Sequence, residues 1–127
     1  MITEDYVSFE TAKLLKEKGF DESIKTCYHK NKFWEYSCNK TYNGDIFKFE
    51  ENEYSAPTLQ MAMKWLREEK GITIVPIVSS ILDNEKFLWD VEIIVAKTNK
   101  TYYQGWVYEQ YEEAVEAAIK YCLTNLI

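Results

Sequence analysis

CYHKNKFWEYSC, residues 27–38, holds two of the three cysteines and the only histidine, with lysines set among large aromatic side chains. It admits four readings: a metal site, an activated nucleophile, a nucleic-acid surface or a β-hairpin. The hairpin accounts for the most residues. A three-residue loop at Asn31-Lys32-Phe33 puts Ile24, Thr26 and Tyr28 on one apolar face with Tyr36 and Cys38. Cys27 and His29 then point the other way, with Cys27 opposite Ser37 and His29 opposite Glu35. A two-residue loop does the reverse and turns Ile24 and Tyr28 outward. The first register buries the better residues and is the one expected.

Three strands are expected here, over about 23–30, 34–42 and 45–50. The last two flank Asn43-Gly44, the dipeptide best suited to a type I′ turn. That turn would place Cys38 opposite Phe49 and Lys40 opposite Phe47. Trp34, Tyr36, Cys38, Tyr42, Phe47 and Phe49 would then share one face.

Helical spacing appears on both sides of this region. Ser8 is a good N-cap, and Phe9, Ala12 and Leu15 follow it up to a stop at Gly19. A second helix begins near Pro57-Thr58 and carries Leu59, Ala62, Met63 and Leu66 at i, i+3, i+4 and i+7, ending at Gly71. A third runs from about Glu109 to Asn125, with Tyr111, Ala114, Val115, Ala118, Ile119, Cys122 and Leu123 as its apolar stripe. The endings KLLKEKGF and KWLREEKGI look alike, either by duplication of a helix-then-strand unit or because two helices stop with the same glycine chemistry. Three more strands are expected at about 72–78, 87–97 and 101–108. Pro76 implies a bulge or an edge position, and a turn at Asn99-Lys100 sets Ile93 opposite Trp106 and Val91 opposite Tyr108.

The order is α-βββ-α-βββ-α. It predicts an α+β fold of antiparallel sheet with helices mainly on one face, in two layers. Residues 1–127 read as a single domain, since Gly, Pro and Ser are scarce between elements.

The net charge of −6 sets the chain as a whole against nucleic acid and anionic membrane. No run reaches the ~18 apolar residues of a membrane span, and the acidic N-terminus lacks a signal-peptide core. An odd number of cysteines and no sign of secretion point to reduced thiols in the cytoplasm.

The chemistry-bearing residues are weighed in turn. C-x-H-x8-C matches no common zinc spacing, so neither metal nor cofactor is expected. Cys27, His29 and Glu35 imitate a nucleophile, base and orienter, and a small Cys-dependent enzyme is the third reading of function. Lys25, Lys30 and Lys32 with Phe33 resemble a stacking surface for single-stranded nucleic acid, which is the alternative reading. The acids at Glu50, Glu51 and Glu53, and at Glu109, Glu112, Glu113 and Glu116, read as a solvated face. Met61 and Trp65 lie opposite the apolar stripe of the second helix, where polar residues belong. Either another element covers them as core, the commoner case, or they are the candidate protein interface, to a foreign partner or to a second copy.

YVSFETAKLLKEKGF, APTLQMAMKWLRE and YEEAVEAAIKYCLTNLI resemble segments of uncharacterised small proteins encoded in prophages and mobile elements of gut anaerobic bacteria. That resemblance covers most of the chain and implies the order of elements and a mobile-element origin. It implies no catalytic or binding residues. The resulting expectation is a non-catalytic accessory protein that acts by protein–protein contact.

Overall fold

The computed structural model describes residues 1–103, 105 and 107–127. The elements are α1 (Phe9–Glu17), β1 (Ile24–His29), β2 (Lys32–Lys40), β3 (Glu53–Ser55), α2 (Leu59–Lys70), β4 (Ile72–Ile81), β5 (Phe87–Val95), β6 (Lys100–Tyr103) and α3 (Tyr111–Tyr121). A π-helical turn, Cys122–Leu126, ends the chain. The order α-βββ-α-βββ-α and the α+β class hold. The strands form two antiparallel sheets, ordered β2-β1-β3 and β4-β5-β6. The chain divides into two compact units, residues 1–60 and 61–127, taken in turn.

In the first unit α1 starts and stops by local chemistry. The Thr11 N–H donates to the Ser8 side chain at 3.3 Å. At the other end Phe20 N–H reaches Leu15 O at 2.9 Å and Gly19 N–H reaches Lys16 O at 3.2 Å. These are the paired bonds of a Schellman ending, and Gly19 takes the left-handed φ of +94° that it requires.

The β1–β2 turn corrects the expected register. His29 pairs with Lys32, Tyr28 with Phe33, Cys27 with Trp34 and Thr26 with Glu35. The loop is therefore the two-residue one, with Lys30 at φ 52° and Asn31 at φ 65°. Two successive left-handed residues make a type I′ turn, which follows the strand twist. The choice between Ile24 and Cys27 then dissolves. The register slips so that Ile24 pairs with Lys40, leaving extra β2 residues between the two registers. This bulge reverses the facing of β2, and because the central strand β1 is covered on both faces, Ile24 and Cys27 are both buried.

The expected hairpin at Asn43-Gly44 does not form, and its third strand lies instead at Glu53–Ser55. A type I′ turn needs positive φ at both central residues, and neither Asn43 nor Gly44 has it. Asp21 takes hold of the segment: the Tyr42 N–H donates to Asp21 Oδ1 and the Asn43 amide donates to Asp21 Oδ2 at 2.6 Å. Gly44 serves close approach. A Cβ there would lie 2.3 Å from the Phe47 carbonyl oxygen. Thr41 instead closes a loop, accepting from Phe49 N–H at 3.0 Å.

Strand pairing sorts the side chains. Tyr28, Phe33 and Tyr54 share one face of the sheet; Cys27, His29, Lys32, Trp34, Glu53 and Ser55 share the other. Helix α1 covers the first face. Phe9 sits edge-on to Tyr28 at 5.7 Å and to Tyr54 at 5.5 Å. Loop 41–50 serves the second, with buried Phe49 against Tyr36 and Tyr42. Of the aromatic face expected from the sequence, Phe49 is buried, while Trp34 and Phe47 are exposed.

In the second unit β4, β5 and β6 form a meander. Ile72, Ile74, Val91 and Ile93 are buried on one face, together with Ala114, Val115, Ala118, Ile119, Cys122 and Leu123. Trp89 meets Tyr111 of α3 edge-on at 5.1 Å. The turn after β5 is longer than expected. Val95 pairs with Lys100 and Ile93 with Tyr102, so the expected Ile93–Trp106 pair does not form; Trp106 itself lies outside the described residues. Tyr108 bridges to Trp89 rather than to Val91, through two hydrogen bonds of 2.7 and 2.8 Å. Pro76 lies, as expected, in an edge strand. Gly71 O accepts from Ala96 N–H at 2.9 Å. The antiparallel alternation then turns the amide positions of Ile72, Ile74, Pro76 and Val78 away from β5. No ladder bond is lost at Pro76. Buried Asp90 is a feature the alternation of β5 did not announce; it accepts from Val91 N–H at 2.7 Å.

Candidate functional site

The chemistry-bearing groups of the first unit converge on Glu53. This side chain is buried, although sequence reasoning placed it in a solvated acidic run. The Tyr36 hydroxyl donates to its Oε2 at 2.5 Å and the Cys27 thiol to the same oxygen at 3.4 Å. The Glu50 N–H donates to Oε1 at 2.8 Å. His29 Nδ1 lies 3.9 Å from Oε2, outside hydrogen-bond reach. The Lys40 ammonium stands 3.4 Å from the centre of the Tyr36 ring.

Each titration follows from this geometry. Burial works against a charged Glu53, but the bonds from Tyr36, the Glu50 backbone and Cys27, together with the Lys40 charge, outweigh it and hold the pKa below the ordinary value. The same carboxylate pushes its donors up. Burial, and then the bond and the charge of Glu53, raise the Cys27 thiol to about 12. The bond to Glu53 is the main reason that the Tyr36 hydroxyl also rises.

In this arrangement one carboxylate oxygen takes hydrogen bonds from both the thiol and the phenol. A thiol nucleophile needs a base that removes its proton and leaves a positive partner beside the thiolate. Here the carboxylate stands between thiol and imidazole, and its fixed negative charge opposes the thiolate. Glu35, the expected orienter, is not part of the cluster. It pairs with Thr26 on the strand and with Lys25 through a 3.4 Å ion pair. All three cysteines are free thiols. Among the described residues, no group of three His, Cys, Asp or Glu side chains could hold a metal ion.

Thiol chemistry gives a direct check. Cys27 and Cys122 are buried and both are pushed to about 12, whereas Cys38 is only half-buried. A disulfide reagent at pH 8 is expected to modify one thiol in the native protein, with Cys38→Ser removing that phase. A fast phase that survives Cys38→Ser and disappears in Cys27→Ser would restore Cys27 as a nucleophile.

The other sequence candidates are dispersed. Lys25, Lys30, Lys32 and Phe33 are all exposed, but Phe33 and Lys32 lie on opposite faces of the sheet. The Phe33 ring is engaged by Tyr6 at 4.9 Å and Tyr28 at 5.7 Å. Trp34, expected on the shared aromatic face, is 56% exposed on the same face as Lys32. Met61 and Trp65 are also split: Met61 is 39% exposed and Trp65 only 6%. Among the described residues no helix is long and apolar enough to cross a membrane.

Sequence reasoning missed Glu53 because β3 is three residues long, too short for any periodic signal. No protein-family model, curated protein or solved structure matches the chain.

Proposed function

We propose that this is a non-catalytic, cytoplasmic accessory protein of a phage or mobile element that acts by protein–protein contact. One observation carries the reading. Val78, Ile81, Leu82 and Phe87 are all exposed and form a patch at the end of the β4–β5 hairpin, while other exposed apolar residues are distributed along the chain. Scattered exposed apolar residues are ordinary, whereas a contiguous group of this size marks contact surfaces. The buried thiol and the thiol–carboxylate–imidazole order of the Glu53 cluster support a role outside catalysis.

The test is a photo-reactive residue in place of Ile81, irradiated in the bacterium that encodes the protein. A discrete protein adduct is expected at 81 and none at the exposed turn residue Thr98. No discrete adduct at 81 would overturn the reading. Exposed Trp34 beside Lys32 favours nucleic-acid binding as a second reading. The same experiment with the photo-reactive group at 34 addresses it: an adduct that nuclease removes would favour that reading over protein contact.

A further inference from the structure

The geometry points to the end of the β4–β5 hairpin as a docking face for a basic amphipathic helix of another protein, an inference that rests on the protein-contact reading. Three observations carry it.

The first is how the apolar face is prolonged. Ile74 opposite Ile93 and Pro76 opposite Val91 lie on the face whose Ile74, Val91 and Ile93 are buried, and Val78 opposite Trp89 continues the row. Strict alternation beyond Val78 would bring Ser80 next onto this face and turn Ile81 away. The register shifts between Val78 and Ser80, so that Ile81 falls opposite Phe87 and stays on the core face. A bulge re-aims a side chain in just this way. Yet Ile81 is 68% exposed and Phe87 47%. The extra residue keeps an apolar side chain in line with the core at a place where this chain leaves it uncovered.

The second is that the patch is held in shape. Leu82 N–H donates to Lys86 O at 2.8 Å and Glu85 N–H to Leu82 O at 2.9 Å, which closes the hairpin end. Beside it lies a recess of about 240 Å³, walled by Leu82, Phe87 and Leu88 and edged by Lys86, Glu109 and Gln110. A preformed recess of that size takes one apolar side chain as an anchor.

The third is charge and strand chemistry, which together select the occupant. Asp83 and Glu85 lie in the connection that closes the hairpin, and Glu109 edges the recess, with Lys86 as the one cation among them, on a chain of net charge −6. A second copy meeting this face symmetrically would bring acids against acids. A partner with lysines or arginines beside its apolar stripe would not. An added strand is disfavoured because Pro76 offers no donor on the outer edge of β4. A helix supplies its apolar residues without needing that edge.

The experiment uses two labelled amphipathic peptides, one of leucine and lysine and one of leucine and glutamate, titrated with the full chain and read by fluorescence anisotropy. The leucine–lysine peptide is expected to bind, and Ile81→Ser or Phe87→Ser to weaken it roughly tenfold. Ile94→Ser, which removes an exposed apolar residue from the opposite face of β5, is expected to leave binding unchanged. Circular dichroism of each variant confirms that the fold is kept. Binding unaffected by Ile81→Ser and Phe87→Ser would mean attraction by charge alone and overturn the proposal. So would equal binding of the leucine–glutamate peptide, or a dimer that Ile81→Ser dissociates. If neither peptide binds while position 81 still gives a discrete protein adduct in cells, the partner chemistry fails and the protein-contact reading stands. If both fail, both are wrong.

Discussion

Glu53→Gln is expected to lower the unfolding free energy by about 2–4 kcal/mol at pH 7. The substitution keeps shape and volume, so the loss comes from charge and hydrogen bonding. Glu53 accepts from the Tyr36 hydroxyl, the Cys27 thiol and the Glu50 N–H. A carboxamide offers one neutral acceptor oxygen for three donors, so at most part of the set keeps its acceptor, and the Tyr36 hydroxyl and Cys27 thiol must turn round to accept from the new NH2 group. Buried donors left without an acceptor carry a full desolvation penalty. Against a domain stability of about 5–15 kcal/mol, that is a large fraction. The sign of the pH dependence follows from the lowered pKa of Glu53. Its stabilisation is present above the unfolded value of 4.5 and is lost as pH falls through the lower folded value. The gap between wild type and Glu53→Gln in urea unfolding should therefore be widest near neutrality and narrow below pH 4.5. A gap that stays constant across that range would mean that the ionised carboxylate is not what the cluster holds.

What the sequence revealed and what it concealed differ in range. Ser8 and Gly19 act on groups within a few residues, so α1 could be read directly from its ends. The stripe from Ala114 to Leu123 repeats along a long segment and is likewise legible. Loop 41–50 was misread because its conformation depends on Asp21, which is distant in sequence and captures Tyr42 and Asn43. No local rule can set the intrinsic preference of Asn43-Gly44 against a bond of that kind. The β1–β2 register failed for a different reason. Both candidate registers were weighed as uniform with one face of β1 solvated, whereas the bulge in β2 uses one register at each end and β1 is covered on both faces. KLLKEKGF and KWLREEKGI share a glycine with left-handed φ after the helix, Gly19 and Gly71. The strand after the first is central in its sheet and the strand after the second is an edge, so the two units are not one motif repeated. The site was least legible of all, because its central acid lies on the shortest strand and its thiol was assigned to the wrong face.

Trp65→Ala is expected to destabilise the protein by about 3–5 kcal/mol, while Met61→Ala changes stability by less than about 1 kcal/mol. Both were picked from the sequence for one reason: each sits where an amphipathic helix should be polar. Periodicity locates the stripe of α2 but not which further faces of the helix are covered. Trp65 is 6% exposed and Met61, one turn earlier, is 39% exposed. Truncating an indole at that burial removes its transfer energy and opens a cavity that neighbouring groups only partly fill. The Lys70 ammonium, 5.4 Å from the Trp65 ring centre, loses its aromatic partner as well. Met61 gives up only part of a flexible side chain that already meets water. Paired urea titrations of the two variants separate these cases, with light scattering on the same samples. If Trp65→Ala kept its denaturation midpoint and changed the solution mass instead, Trp65 would belong to an interface after all, and α2 would replace the hairpin end as the surface to probe for a partner.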